Sequence, residues 1–467
     1  MECDPLLLMP GQALSADCGV FVEPGATSGD GSQGSPYGTI TEALADNPMS
    51  MPIYVCSSAM SVNEAIILTG SELLVGGVDC SNWEASTNKT PWTAAPNEIP
   101  LVLDGASAII QSFAITAQDA TGFDAATLDG NDSIAVVVNG GDSAIVNSDL
   151  VAGAGAAGGD GMDYPSQAPG RQSDAASFDG NSGSNGMGSD CGDPPGANKM
   201  YNSCPAGGST VGAAGGAGGI ATGSSGQSGL TDPGLGEPNG TAGAGDSGSP
   251  WTCAGNQGHG ETGHDGPEGP FGAAGMTSGV VVVDGFLGSV GGAGMAGTTG
   301  QGGGGGGGRR GDASTGCAGV NGPAGGSGGA GGCGGQGGGG GGQGGASFAL
   351  VSIGATVTLN SVTLVAVAGG TGGEGGDGQL GGIGGVSGPG GAFGCNGGSG
   401  GNGGPGGPGG GGAGGPSHGL AYTGTAPDID DSAITVAGAP ASGGAGGNGN
   451  SAMNGGAMGL TTKKQMY

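Results

Sequence analysis

Between Ile53 and Leu150 the chain alternates short apolar runs with Gly, Asn and Asp: "IYVC", "EAIILTG", "ELLVGGVDC", "IPLVLDG", "AIIQSFAIT", "SIAVVVNG" and "SAIVNSDLVAG". Each run is rich in Val and Ile and bounded by turn formers, which predicts strands. Helical patterning occurs only ahead of them, in "GDGSQGSPYGTITEAL" from Gly29 to Leu44. There Thr39 and Glu42 are spaced as a capping box, Ile40, Ala43 and Leu44 share a face, and Asn47-Pro48 ends the helix. Many short, closely spaced strands leave a sandwich, a barrel or a parallel β-helix.

Later returns of the strand pattern favour the β-helix. Runs starting at Ser133, Ser278, Ser347 and Ser417 share one plan: a small polar start, an apolar run, a Gly, Asp or Asn turn, a second apolar run, then Ala-Gly and a glycine tract. A solenoid tolerates insertions of variable length at one corner because each coil contacts mainly its neighbours. The expected fold is therefore all-β, a right-handed parallel β-helix with an N-terminal helix cap and long Gly-rich insertions. The expected divisions are an N-terminal segment at 1–28 and a capped β-helix at 29–152. Gly-rich insertions fall at 153–277, 291–346 and 369–416. Single coils fall at 278–290, 347–368 and 417–438, and a Gly-rich tail at 439–467.

The insertions have a period of their own. Glycine holds every third position from 326 to 344 and again from 397 to 415, with a shorter instance at Gly212, Gly215 and Gly218. Three residues per turn is the repeat of the polyproline II helix, which has no internal hydrogen bonds. Glycine strands side by side could pair their amides and carbonyls. Each bond contributes about 0.5–1.5 kcal/mol net, against roughly 1–2 kcal/mol per residue of ordering entropy. Packed polyglycine II strands would then need staples.

Composition narrows the partners. Of 467 residues 127 are Gly, and 38 acids face 7 bases for a net charge of −31. Nucleic acid and anionic membranes require Lys and Arg, so both are excluded as partners. No run is long enough to cross a membrane, and "PLLLMP" is too short for the apolar region of a signal peptide. Ten cysteines with no CxxC pair disfavour zinc-ribbon and thioredoxin-type sites and fit disulfides in an oxidising compartment. Cys18, Cys56, Cys80, Cys191, Cys204, Cys253, Cys317, Cys333 and Cys395 are the disulfide candidates. Cys3 is a candidate lipid-attachment residue of an exported, surface-bound chain. Cys317, Cys333 and Cys395 sit within or beside the triplet tracts, where staples would help.

With "IYVCSS", "EAIILTG", "LLVGGVDCSNW", a "DCGVFV" start at Asp17–Val22 and Gly76-Gly77-x-x-Cys80-x-x-Trp83, residues 17–152 resemble the pectin-lyase-like parallel β-helix proteins. More closely, they are similar to the Gly-rich surface proteins of myxobacterial type. The resemblance implies a secreted or cell-surface solenoid and carries no activity. The glycine tracts separately resemble, by composition, the polyglycine II bundles of phage tail-tip adhesins and of the snow-flea antifreeze protein.

Motifs that carry chemistry are few. The "GHG" at Gly258–Gly260, the "GHD" at Gly263–Asp265 and Asp430-Asp431 echo polygalacturonase-like segments, but the Asn-Thr-Asp and Arg-Ile-Lys motifs are missing. His259 and His264 are weak metal candidates. So are Asp160, Asp163 and Asp377, in "GGDGMDYP" and "GGEGGDGQ", which approach a calcium β-roll repeat but hold Pro165 and Gln379 in its apolar slot. Calcium is the one cofactor these acids suggest. The bulky residues stranded among glycines (Tyr164, Tyr201, Trp251, Phe271 and Phe393) are candidate contacts for sugar rings. The expected role is an exported, non-catalytic structural or adhesive protein of the cell surface or matrix, binding through its Gly-rich loop face. A glycan or surface partner and self-assembly both fit that role. A carbohydrate-binding or polysaccharide-degrading β-helix and an ice-binding protein are the alternatives.

Overall fold

The computed structural model describes residues 9–27, 29–47, 51–57, 60–164, 196–204, 209–220, 222–224, 230–231, 240–248, 250–254, 257–449 and 451–467. It is nearly all-β, with three parallel six-stranded sheets compatible with a β-solenoid. The first sheet stacks Val20–Val22, Ile53–Ser57, Leu73–Asp79, Ile109–Gln111, Asp142–Val146 and Thr356–Asn360. The second stacks Ile66–Leu68, Leu101–Asp104, Ser133–Asn139, Ser347–Ile353, Ser417–Thr423 and Thr461–Met466. The third stacks Val62–Asn63, Thr90–Thr93, Phe113–Thr116, Asp149–Val151, Thr363–Ala366 and Ile434–Val436.

Alternation along these strands sends Leu101, Leu103, Val136, Val138, Leu350 and Leu420 into one shared core with Ile110, Ile145, Phe113, Ile115 and Leu364. Trp92 and Phe113 meet edge to face at 5.4 Å inside it. The corners recur as well. Gly105, Gly140, Gly354 and Gly424 each follow a strand of the second sheet with φ between +56° and +78°, a conformation that costs glycine nothing. A helix at Ile40–Ala45 lies against the first two strands of the first sheet, burying Ile40 and Ala43. Thr39 Oγ1 accepts from Glu42 N, and Glu64 accepts from the N–H groups of Ile40 and Thr41.

Early coils follow one another closely, Leu101 pairing with Val136, but an insertion places the next coil much farther along the chain. Ser133 pairs with Ser347, Asp142 with Thr356 and Asp149 with Thr363, so one coil continues in the next 214 positions later. Residues 152–346, 367–416 and 437–460 all leave after a strand of the third sheet and return before one of the second.

The described parts of these excursions form a glycine array. The N–H groups of Gly291, Gly294, Gly297, Gly300, Gly303 and Gly306 donate at 2.8–2.9 Å to Gly341, Gly338, Gly335, Gly332, Gly329 and Gly326. Gly326, Gly329, Gly332, Gly335, Gly338 and Gly341 donate in turn to a parallel strand, at Cys395, Gly398, Gly401, Gly404, Gly407 and Gly410. A third neighbour, residues 370–391, donates to the carbonyls of 324–345, again at every third residue. Glycine is required where strands face each other: a Cβ at Gly329 would lie 2.0 Å from the Gly385 carbonyl oxygen. Other registers carry side chains, some of them fully buried, as at Ala324, Ser327, Ala330 and Cys333. One register of the strand at 395–415 reads Asn396, Ser399, Asn402, Pro405, Pro408, and reverts to Gly411 and Gly414 where residues 441–444 pack against it.

Two expected divisions are corrected. Residues 278–290 are not a coil: Val280–Val282 and Gly285–Leu287 form an antiparallel hairpin on the outer surface of the second sheet. The run is too short to supply three strands and their corners. Nor is 439–467 only a tail, since Thr461–Met466 rejoins the second sheet beside Ser417–Thr423.

Candidate functional site

Three disulfides join described cysteines. Cys56–Cys80 lies at the first sheet, while Cys204–Cys333 and Cys253–Cys395 tie loops to the two inner strands of the array. Cys18 and Cys317 are disulfide-bonded too. Cys3 and Cys191 lie outside the described residues.

Cys253–Cys395 organises the most distinctive surface of the array. Trp251 and Phe393 each stand two residues before a bonded cysteine, so the crosslink brings them together. The guanidinium of Arg309 sits between them, 6.0 Å from the indole and 5.7 Å from the phenyl centroid. Trp251 Nε1 donates to Ala244 O at 3.0 Å, which fixes the ring. Arg310 lies alongside, with Asp246 and Asp312 at 3.7 and 3.4 Å from its Nε. Both carboxylates spend an oxygen on backbone: Asp246 Oδ1 accepts from Gly248 N, and Asp312 Oδ1 from Ser314 N and Thr315 N. Those bonds to Ser314 and Thr315 hold the Asp312 carboxyl below the usual carboxylate range, led by the Ser314 side chain. The neighbouring hollow is lined by Ala244, Ser247, Gly248, Trp251 and Gln257.

The other contact candidates stay apart. Tyr201 is exposed on the hairpin of Met200–Ser203 and Ser209–Gly212, opposite Val211. Phe271 is exposed on the strand at 258–275, and Tyr164 is half-buried with its N–H on Asp377 O. The metal candidates serve the backbone. His259 Nδ1 accepts from Asn396 N at 3.0 Å, Asp160 from Glu374 N and Asp163 from Asp377 N, both at 2.8 Å. Asp377 accepts from Asn448 N, and exposed His264 takes the Gln301 N–H on its carbonyl. Among the described residues no three His, Cys, Asp or Glu side chains group as metal ligands.

A second polar cluster lies under the hairpin on the second sheet. His418 is buried, stacked on Phe348 at 5.3 Å, with Tyr467 Oη 2.9 Å from Nε2 and Thr462 Oγ1 2.8 Å from Nδ1. Burial pushes its pKa down to about 4. Asp132 accepts from Ala346 N and Phe286 N, and burial pushes its carboxyl up to about 7. With the imidazole committed to Thr462 and Tyr467, this cluster pins the hairpin and the last strand.

The sequence reading singles out Trp251 and Phe393 but not Arg309 and Arg310. The signal was available: two adjacent arginines, in a chain with seven bases, end a glycine run and precede "GD". No protein family, curated protein or solved structure matches the chain.

Proposed function

We propose that this protein is an exported, non-catalytic structural or adhesive component of a cell surface or extracellular matrix. The rod is a right-handed parallel β-helix closed at one end by the Ile40–Ala45 helix. Its insertions stand beside it as a polyglycine II bundle that carries the contact face.

One observation carries the reading: the three-residue hydrogen-bond repeat runs through the excursions and is crosslinked twice, by Cys204–Cys333 and Cys253–Cys395. Such an assembly invests its order in a stiff, solvent-facing scaffold, and its disulfides fit an oxidising exterior. A net charge of −31 keeps neighbouring copies apart.

Labelling intact producing cells with an antibody against the array, before and after brief external proteolysis, tests the placement. Labelling that proteolysis removes is the expected result. Labelling that appears only after lysis overturns it.

A further inference from the structure

We infer that the Arg309–Arg310 corner of the array binds a sulfate monoester carried on a sugar ring. The inference rests on the surface-contact reading above and supplies its ligand class.

The arginines are the starting point. Among the described residues the Arg310 guanidinium donates no hydrogen bond, and Arg309 donates one, from Nη2 to Ser314 Oγ at 3.3 Å. The Nε of each is buried without a hydrogen-bond acceptor, although Asp246 and Asp312 stand at ion-pair distance. The buried Nε groups are out of a ligand's reach, but the remaining Nη–H donors of two adjacent guanidinium groups match a tetrahedral oxyanion, which accepts in the bidentate fashion arginine favours.

The hollow supplies the rest. A Cβ at Gly248 would lie 3.7 Å from Arg310 Nη1, so that guanidinium lies close to Gly248, one of the residues that line the hollow. Trp251 belongs to the lining, with Ser247 and Gln257. An indole face beside a cation and two small polar groups suits a ring bearing hydroxyls and one anion. Cys253–Cys395 and the Trp251–Ala244 bond hold the indole in place beforehand, which lowers the ordering cost of binding.

Charge selects among the oxyanions. In a chain of net charge −31 a monoanion is repelled less than a dianion. A sulfate monoester carries one charge at neutral pH, whereas a phosphate monoester carries nearly two. Screening over about 8 Å at physiological salt limits the remaining repulsion and leaves contact geometry to decide.

Acrylamide quenching of tryptophan fluorescence in the purified protein is the test, because Trp83 and Trp92 are buried and Trp251 is half-exposed. Titration with a hexose 6-sulfate is expected to protect Trp251 saturably. Arg310→Gln should weaken that protection about tenfold, the loss of a charge-assisted bond, while amide protection in residues 322–346 stays unchanged. The unsulfated hexose should not protect. Absence of protection, equal protection by inorganic sulfate or by the neutral hexose, tighter binding of the hexose 6-phosphate, or an unaffected Arg310→Gln would each overturn the assignment. The assay uses isolated protein, so its failure is independent of where the protein resides.

Discussion

The solenoid and the glycine array solve one problem with opposite materials. In the solenoid, strands stack in parallel and Leu103, Phe113, Leu350 and Leu364 fill the space they enclose. In the array, strands also pair through backbone hydrogen bonds, but at the glycine positions carbonyl oxygens of the facing strand approach the α-carbons directly, and the buried side chains are few and mostly small, as at Ala324, Ser327, Ala330 and Cys333. One region is stabilised by what its side chains bury, the other mainly by how closely its glycine backbone packs. The two are continuous. The pairing of Ser347 with Ser417, 70 positions on, persists in the array, where Gly415 faces the Gly345 carbonyl across the same interval. A coil sets the register, and its insertion keeps it.

That comparison is sharpest at one methyl group. Gly→Ala ordinarily stabilises by about 0.4–1 kcal/mol where the backbone permits, because the unfolded chain loses freedom. At Gly329 the added carbon would overlap the Gly385 oxygen, so the expected cost is about 3 kcal/mol or more, with loss of exchange protection throughout 322–346. Gly34 faces nothing within 4 Å, and Gly34→Ala should be neutral or slightly stabilising. Leu103→Ala, by contrast, should cost about 2–5 kcal/mol through a cavity in the solenoid. Urea unfolding with hydrogen exchange assigns each loss to its region, and equal behaviour of the two glycines would refute the close-packed array.

Removing the staples comes next. Cys204–Cys333 and Cys253–Cys395 span 129 and 142 positions, and loss of each, as paired Cys→Ser variants, should destabilise the array by about 2–5 kcal/mol. Peptides from the array should then exchange faster while those from 101–151 keep their protection. Uniform loss in both regions would show that they unfold as one unit.

The two regions were legible to different degrees. Solenoid strands rich in Val and Ile announced themselves, and so did the Thr39 cap, because burial on one face leaves a periodic trace. Thr90–Thr93 was missed because Pro91 reads against a strand, although its burial pattern places Thr90 and Trp92 inward and Pro91 outward. Thr461–Met466 was missed because "TTKKQM" is polar, as suits a strand with a single neighbour. The run after Ser278 imitates a coil in composition and fails in length. In the array the triplet glycines were visible, but which strand faces which depends on long-range register. The cluster of Arg309 with Trp251 and Phe393 was hidden for the same reason, since a crosslink across 142 positions assembles it.

A pH effect of similar or smaller size separates the hairpin's anchors from both regions. His418 has its pKa lowered to about 4, so its neutral form favours the fold above pH 6.5 and that stability is lost as pH falls towards 4. The full change is about 3 kcal/mol. Asp132, raised to about 7, acts oppositely: its contribution falls as pH rises from about 4 to 7. The opposing slopes should offset each other between pH 4.5 and 6.5 in the native protein. Asp132→Asn should make stability rise with pH across that window, and His418→Phe should make it fall. Urea midpoints at three pH values check this, and parallel slopes in the two variants would contradict it.

The smallest effect tests whether outward side chains serve the array at all. Asn402 is exposed, and its Oδ1 accepts from Gly384 N at 3.0 Å, while its own N–H donates to Asp265 Oδ1 at 2.6 Å. Asn396 repeats the arrangement one turn pair earlier, accepting from Gly390 N and donating to His259 Nδ1. These positions lie where a strand offers an amide and no neighbouring carbonyl reaches it. A side chain supplies the acceptor instead. Asn402→Ala should therefore cost about 1 kcal/mol and speed exchange at Gly384 specifically, leaving Gly382 and Gly385, bonded to Cys333 and Ala330, protected. Unchanged exchange at Gly384 would mean that outward residues only mark the open faces. Selective loss would mean that the chain places Gly where a strand is near and a hydrogen-bonding side chain where one is missing.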